Sequence, residues 1–409
     1  MRFRIPQVLL LIFLLLLTQG GLALPQSPIK STQSIAYFPQ IQWASTTPEE
    51  QNMSSAVLDE MMQYIEDSGA PIGSLVVTRN GYIVKEQYWN YYTANTTHQI
   101  FSCTKSFTGT LIGIALKQGF IDNVSQRVLD FFPDMTIQNM DSRKGNMTLE
   151  DVLTMTTGLD WNEWNNSYSD PQNMYNQMFY SPNPVQFFLN LPMAYDPGTH
   201  WVYTTGASHL LSAIIQRVTN MTTREFAEEY LLRPLNITIG GWNVDPQGIN
   251  NGGTQLYISA RGMAKLGLLY LNNGTWDGQE ILTQDYVAHA TAPQVSAALG
   301  FDYGYQWWID TSNGFFSARG SEGQYILVSP EYNVVIAITA HADDPSEDIN
   351  ESVLNYVVQS ILQYTPYPST DGLDDSLSLL QIAGVTALAL SIIAVAVLYR
   401  HKMSSRALV

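Results

Sequence analysis

The chain has 409 residues, with 19 Lys and Arg against 36 Asp and Glu, a formal net charge of −17 and only 13% charged side chains. Nucleic acid is excluded as a partner, because binding phosphate takes clustered Lys and Arg. One cysteine rules out a disulfide framework or a cysteine-rich metal site. The histidines at 98, 200, 209, 289 and 341 show no metal-ligand spacing, so no metal or other cofactor is expected.

The chain begins with Arg2 and Arg4, an unbroken apolar run from Val8 to Leu17, and small residues at Gly21 and Ala23. This pattern predicts a secretory signal over residues 1–23. A Gln/Ser/Thr/Pro-rich lead-in follows, and then apolar residues at Val57, Met61, Met62 and Ile65, whose spacing predicts an amphipathic helix within 49–68. Two β-rich runs, 74–79 and 82–87, flank Asn80-Gly81, the strongest short-range signal for a hairpin. From Ser102 to about Ala297 the chain reads as mostly helical. Strand character returns at 305–309, 325–329 and 334–339, and a helix is expected over 347–363. Residues 364–378, rich in Pro, Ser and Asp, read as a stalk. The uncharged run 379–399 has the length of a transmembrane helix, and Arg400, Lys402 and Arg406 mark residues 400–409 as a cytoplasmic tail.

The expected protein is therefore a single-pass cell-membrane protein with an extracytoplasmic domain over 24–363. Its partners would be the membrane, through one C-terminal helix, and a small molecule. Nine Asn-x-Ser/Thr sequons fit an exported glycoprotein: Asn52, Asn95, Asn123, Asn146, Asn165, Asn220, Asn236, Asn273 and Asn350. The acidic balance deepens once the basic ends are set aside, which favours neutral or cationic small substrates. Two N-terminal and three C-terminal strands separated by a long helical stretch pack most simply as one antiparallel sheet. Terminal helices would cover it and the middle would form an inserted helical lobe, an α+β architecture with a C-terminal transmembrane helix added. A ligand cleft then lies between the lobes.

Ser102-Cys103-Thr104-Lys105 opens a probable helix, where residues three apart share a face. A serine needs a neighbouring base to become a nucleophile, and a desolvated lysine can serve as one. The bland reading is a capping serine and a surface lysine. Tyr203-Thr204-Thr205 stands at a loop-to-helix junction that could reach the same cleft, although Tyr203 also fits as a packed ring. Gly320-Ser321-Glu322-Gly323-Gln324 leads into a strand, and a glycine there lets a substrate approach the backbone. The N–H groups of Ser102 and Ser321, if opposed, would make an oxyanion hole. Cys103 reads as a small buried hydrophobe. Trp161, Trp164, Trp307 and Trp308 read equally as cleft walls or as core. No Gly-x-Ser-x-Gly elbow is present.

These elements, in this order, resemble the serine β-lactamase and penicillin-binding-protein superfamily, and in particular its class C β-lactamases, esterases and 6-aminohexanoate-dimer hydrolases. Matching stretches include 153–159, 198–203, 259–265, 303–308 and Gly323-Gln324, and the resemblance runs over about 54–361. It implies a β-lactamase/transpeptidase-like fold. It also implies Ser102 as the nucleophile of an acyl-enzyme, Lys105 as its proton acceptor and Tyr203 as general base. Ser102, Gly320, Ser321 and Thr205 would hold the substrate. The chain departs from the penicillin-recognising members in two places. Thr205 stands where they carry the Asn of Tyr-x-Asn, and Ala318-Arg319-Gly320 replaces Lys-Thr-Gly. Both changes point to an ester or amide other than a β-lactam. Arg319 reads either as a carboxylate receptor or as a solvent-facing strand residue. The expected activity is hydrolysis of small esters or amides. The alternatives are a non-catalytic or slowly acylated sensor of the same fold and a D-Ala-D-Ala-directed peptidase.

Overall fold

A computed structural model describes residues 37–39, 43–341 and 349–366. Chain contacts divide it into units Met1–Tyr364 and Thr365–Val409; the fold below is that of the first.

Helix α1 (Ser55–Ser68) begins where the Ser54 side chain accepts the Val57 N–H, and it ends at Gly69 with φ +67°. Both are standard terminators: the cap satisfies an orphan donor, and glycine reaches the left-handed region without a Cβ clash. The expected hairpin follows as β1 (Ile72–Arg79) and β2 (Tyr82–Tyr88). Asn80 and Gly81 both hold positive φ, at 52° and 88°, which a type I′ turn requires. Helix α2 (Thr104–Lys117), short helices and irregular loops, helix α3 (Thr205–Thr219) and helix α4 (Ala260–Leu271) make the middle of the chain. Then come β3 (Val295–Ser296), β4 (Asp302–Tyr303), β5 (Trp308–Asp310), β6 (Phe315–Gly320), β7 (Gln324–Ser329), β8 (Val334–Ala340) and helix α5 (Asn350–Leu362).

The two ends of the domain meet as expected. These eight strands form one antiparallel sheet in the order β2-β1-β8-β7-β6-β5-β4-β3, and the middle of the chain adds a small three-stranded sheet of His98–Gln99, Leu256–Ile258 and Ile239–Trp242. The joint pairs Leu75 with Ile338 and Val77 with Ile336. Side chains alternate across the sheet with period two. Leu75, Val77, Leu327, Val334, Ile336 and Ile338 pack with α1 and α5, while Val76, Ile326, Val328, Val335 and Ala337 pack with α2, α3 and α4. This double cover explains why β1 and β8 are buried along nearly their whole length. Helix α4 crosses closely at Gly267, where a Cβ would come within 2.5 Å of Val335 Cγ1.

The sheet is larger than the five strands expected. β6 lies inside it between β5 and β7, although its Phe-Phe-Ser-Ala-Arg-Gly carries little alternation. Its neighbours on both sides supply the hydrogen bonds that make it a strand. The strand expected over 305–309 starts at Trp308 instead, because Gln306 holds φ +63° and Gly304 N–H bonds Trp307 O across a turn.

One expectation is corrected. The α+β fold stands without the membrane helix: among the described residues no helix is long and apolar enough to cross a membrane. The expected span over 379–399 lies outside the described residues, as do the signal over 1–23, the tail and nearly all of the stalk.

Candidate active site

Ser102 sits in a tight turn, Phe101–Cys103, that runs directly into α2. Phe101 holds φ +43°, an unfavourable setting for a side chain of its size, and the Ile100 N–H bonds Leu256 O beside it. The turn therefore projects Ser102 from the helix start while α2 itself is driven into the core. Every residue from Cys103 to Ala115 is buried.

Lys105, one turn on, is 2% exposed. Its Nζ donates to Ser102 Oγ at 3.0 Å and to Gly253 O at 2.9 Å. Burial pushes the Lys105 amine down to about 8, against the opposing pull of the Glu163 carboxylate, because a charge in a poorly solvated site is disfavoured. Gly253 is needed there: a Cβ would meet Thr205 Cγ2 at 2.5 Å and stand 3.5 Å from Lys105 Nζ.

Tyr203 reaches the same place from a loop racked on the Thr156-Thr157-Gly158 segment. Gly198 N–H bonds Thr156 O, Tyr195 N–H bonds Gly158 O and Val202 N–H bonds Met155 O. Gly158 holds φ +74° with Tyr195 O only 2.4 Å from where a Cβ would be, so the motif serves close loop packing. The Tyr203 ring stacks on Trp164 at 5.2 Å and on Trp308 at 5.9 Å, with Lys105 Nζ 4.9 Å from its centroid. The Ser102 side chain lies close enough to favour the ionised phenol. Burial, reinforced by Glu163, pushes the phenol far above its ordinary value, so Tyr203 rests as a neutral phenol.

β6 ends against the serine turn. A Cβ on Gly320 would fall 2.5 Å from Ile100 O and 3.2 Å from Ser102 N, so only glycine permits this approach. The turn Ser321–Gly323 follows, with Glu322 at φ +63°. Ser102, Phe101, Thr205, Gln255, Ser321 and Glu322 share the wall of a cavity of about 220 Å³. Phe101, Gln255 and Glu322 all hold positive φ, a concentration of backbone strain typical of functional sites. A second, wider trough of about 850 Å³ lies along Asp160, Trp164, Tyr195, His200, Trp201 and Tyr203.

All six singled-out residues, Ser102, Lys105, Tyr203, Thr205, Gly320 and Ser321, converge. Thr205 is tied differently from the expected substrate contact: its N–H and hydroxyl both donate to Glu163, each at 2.7 Å. Glu163 is the residue that sequence reasoning missed. It is 1% exposed and also accepts from Trp161 Nε1 at 2.8 Å and Tyr168 OH at 2.7 Å. The signal was an acid set between two tryptophans, Trp161-Asn162-Glu163-Trp164. Arg319 is half-buried rather than a free surface residue, and it does not line the cavity that holds Ser102. Its guanidinium lies 3.9 Å from the Phe301 centroid and its Nε donates to Ser317 Oγ. Cys103 is buried, and burial pushes its thiol well up, as suits a packing residue. Trp161 and Trp307 belong to the core, whereas Trp164 and Trp308 flank Tyr203.

Known proteins share this plan. The fold overlays a penicillin-binding protein homologue from Pyrococcus abyssi with a TM-score of 0.60 at 18% identity, covering 76% of this chain and 78% of that one. It overlays a family VIII carboxylesterase with a TM-score of 0.59 at 14% identity, over 78% and 99% of the two chains. In sequence it is 26% identical over 313 residues to a 6-aminohexanoate-dimer hydrolase of Paenarthrobacter ureafaciens, covering 70% of this chain and 76% of that protein. Together with the fold, these relatives define a serine hydrolase of the esterase and amidase type. The particular family follows from a match along most of the domain. The Beta-lactamase family profile fits residues 56–356, and the chain belongs to that family.

Proposed function

We propose that the protein cleaves small esters or amides through an acyl-enzyme on Ser102. The supporting observation is the buried Lys105 amine, held near pKa 8 and 3.0 Å from the Ser102 hydroxyl. A lysine in that range is partly neutral in mildly basic water and accepts the serine proton as Oγ attacks the carbonyl carbon. The oxyanion that forms is met by the Ser102 and Ser321 amides, which the Gly320 approach brings to the same wall. Tyr203, a neutral phenol at rest, gives its proton to the leaving oxygen or nitrogen and takes back the one that Lys105 drew from Ser102, its ring centroid lying 4.9 Å from Lys105 Nζ. Water then attacks the ester carbonyl, and the same groups run in reverse to free Ser102.

The substrate is read as an ester or amide rather than a β-lactam or a D-Ala-D-Ala peptide. At the position of the family lysine, Ala318 is buried, and neighbouring Arg319 is occupied by Phe301 and Ser317. The one cation on β6, Arg319, does not line the cavity that holds Ser102. We also read the domain as exported, supported by the sequons. Eight of the nine asparagines are exposed, and Asn350 alone is buried.

The test is an active-site phosphonate probe with intact-mass analysis, alongside turnover of neutral aryl esters by wild type and Ser102→Ala. Labelling and turnover that both vanish in Ser102→Ala support the enzyme. Acylation without turnover would leave a sensor, and no labelling at Ser102 would overturn the reading.

A further inference from the structure

The cavity holding Ser102 is electrically one-sided. Among its lining residues Glu322 is the only one of a type charged at neutral pH, the phenols of Tyr168 and Tyr175 being held neutral by burial, and it directly follows the oxyanion residue Ser321. The turn fixes its backbone there: Glu322 holds φ +63° and the next residue, Gly323, φ +85°. The carboxylate is not consumed by a strong ion pair. Its nearest cationic partner among the described residues is His341, whose Nδ1 lies 3.8 Å away and carries charge only when protonated. His341 is itself engaged by Tyr92 and by His98, which reaches both of its ring nitrogens.

The positive groups nearby are turned elsewhere. Arg319 packs on Phe301 and Tyr325, and Lys105 Nζ is spent on Ser102 and Gly253. The wider trough beside Tyr203 continues the pattern: it is lined by no Lys or Arg, it includes exposed Asp160, and its indole and phenol faces attract cations. An approaching substrate thus meets an acid in each cavity, Glu322 beside Ser102 and Asp160 beside Tyr203, on a chain whose net charge is −17.

We propose that Glu322 sets specificity by pairing with a cationic group, a primary or quaternary ammonium, carried by the substrate close to the scissile carbonyl. The same carboxylate repels substrates that carry a carboxylate there. This deepens the Ser102 hydrolase reading and rests on it.

Three p-nitrophenyl esters of matched acyl shape test the inference: one ending in trimethylammonium, one in the uncharged tert-butyl isostere and one in carboxylate. The readout is the ratio of kcat/KM values. Wild type is expected to favour the ammonium ester over the isostere about tenfold, the scale of a partly exposed charge pair near a protein surface, and to disfavour the carboxylate ester. Glu322→Gln brings the ammonium preference close to one, and Glu322→Lys reverses the order. Raising the ionic strength weakens the wild-type preference without any substitution, which covers the case of a variant that fails to fold. Equal turnover of all three esters by wild type, or an unchanged ratio in Glu322→Gln, overturns the inference. The uncharged ester separates the two claims. If Ser102 turns it over without any charge preference, only the role of Glu322 falls; if Ser102 does not turn it over, the hydrolase reading falls first.

Discussion

The Nζ of Lys105 lies 3.0 Å from Ser102 Oγ, and its other close partner is the carbonyl of Gly253 rather than a carboxylate. An ammonium buried with two neutral acceptors is poorly compensated, which is why it gives up its proton readily. Lys105→Ala is expected to lower kcat/KM for neutral aryl esters by about 10²–10⁴, the usual range for loss of a positioned base. Lys105→Arg keeps the charge but cannot deprotonate near neutral pH, so it is expected to be equally inactive. Steady-state kinetics with thermal melts, to confirm folding, check both.

The Lys105 value has a direction that can be read from a pH profile. Because the neutral amine is the active form, kcat/KM should rise with pH and level off above about 8. The Glu163 charge raises the Lys105 pKa. In Glu163→Gln that pull is gone, so the rising limb is expected to move to lower pH. A limb that stays in place would mean that the group titrating in the profile is not Lys105.

Tyr203 is predicted to act as a donor to the leaving group. Tyr203→Phe keeps the ring stacked on Trp164 and Trp308 but removes the proton. The loss in kcat should be small for p-nitrophenyl esters, whose leaving group departs without protonation. For alkyl amides it should be large, about 10²-fold or more. Equal losses on both substrates would count against the relay.

Gly320→Ala places a methyl 2.5 Å from the Ile100 carbonyl, a backbone atom that cannot rotate aside. The strand end must shift away from the serine turn, at a cost of about 1–3 kcal/mol in stability. Activity is expected to fall by more than the stability change explains, because the proposed oxyanion hole needs the Ser102 and Ser321 amides close together and the shift moves them apart. Chemical denaturation and kcat on the same preparation separate the two effects.

Much of this was legible in the chain because it is local. Asn80-Gly81 specifies its turn through two adjacent residues that tolerate positive φ, and the strands it joins appear where the pattern places them. Ser102 and Lys105 meet because three residues of helix bring side chains onto one face. β6 was obscured because Ser317, Ala318 and Gly320 have little strand preference of their own, and only neighbours on both sides hold them extended. Glu163 was hidden for a related reason. Its donors come from Trp161, Tyr168 and Thr205, and nothing in the spacing of those residues announces that they surround one carboxylate.

The amino-acid order by itself determined the hairpin and the sharing of one helical face by Ser102 and Lys105, since short-range geometry is enough for these; the joining of the two chain ends followed from how the predicted strands pack most simply, and Tyr203 was singled out by the family resemblance. Only the tertiary structure decided how readily Lys105 loses its proton, that Tyr203 rests protonated between indoles, that Arg319 packs on Phe301 and that Glu322 lines the same cavity as the serine. Those properties depend on burial and on partners distant in the chain, and the field at a buried group is summed over everything the fold brings near it.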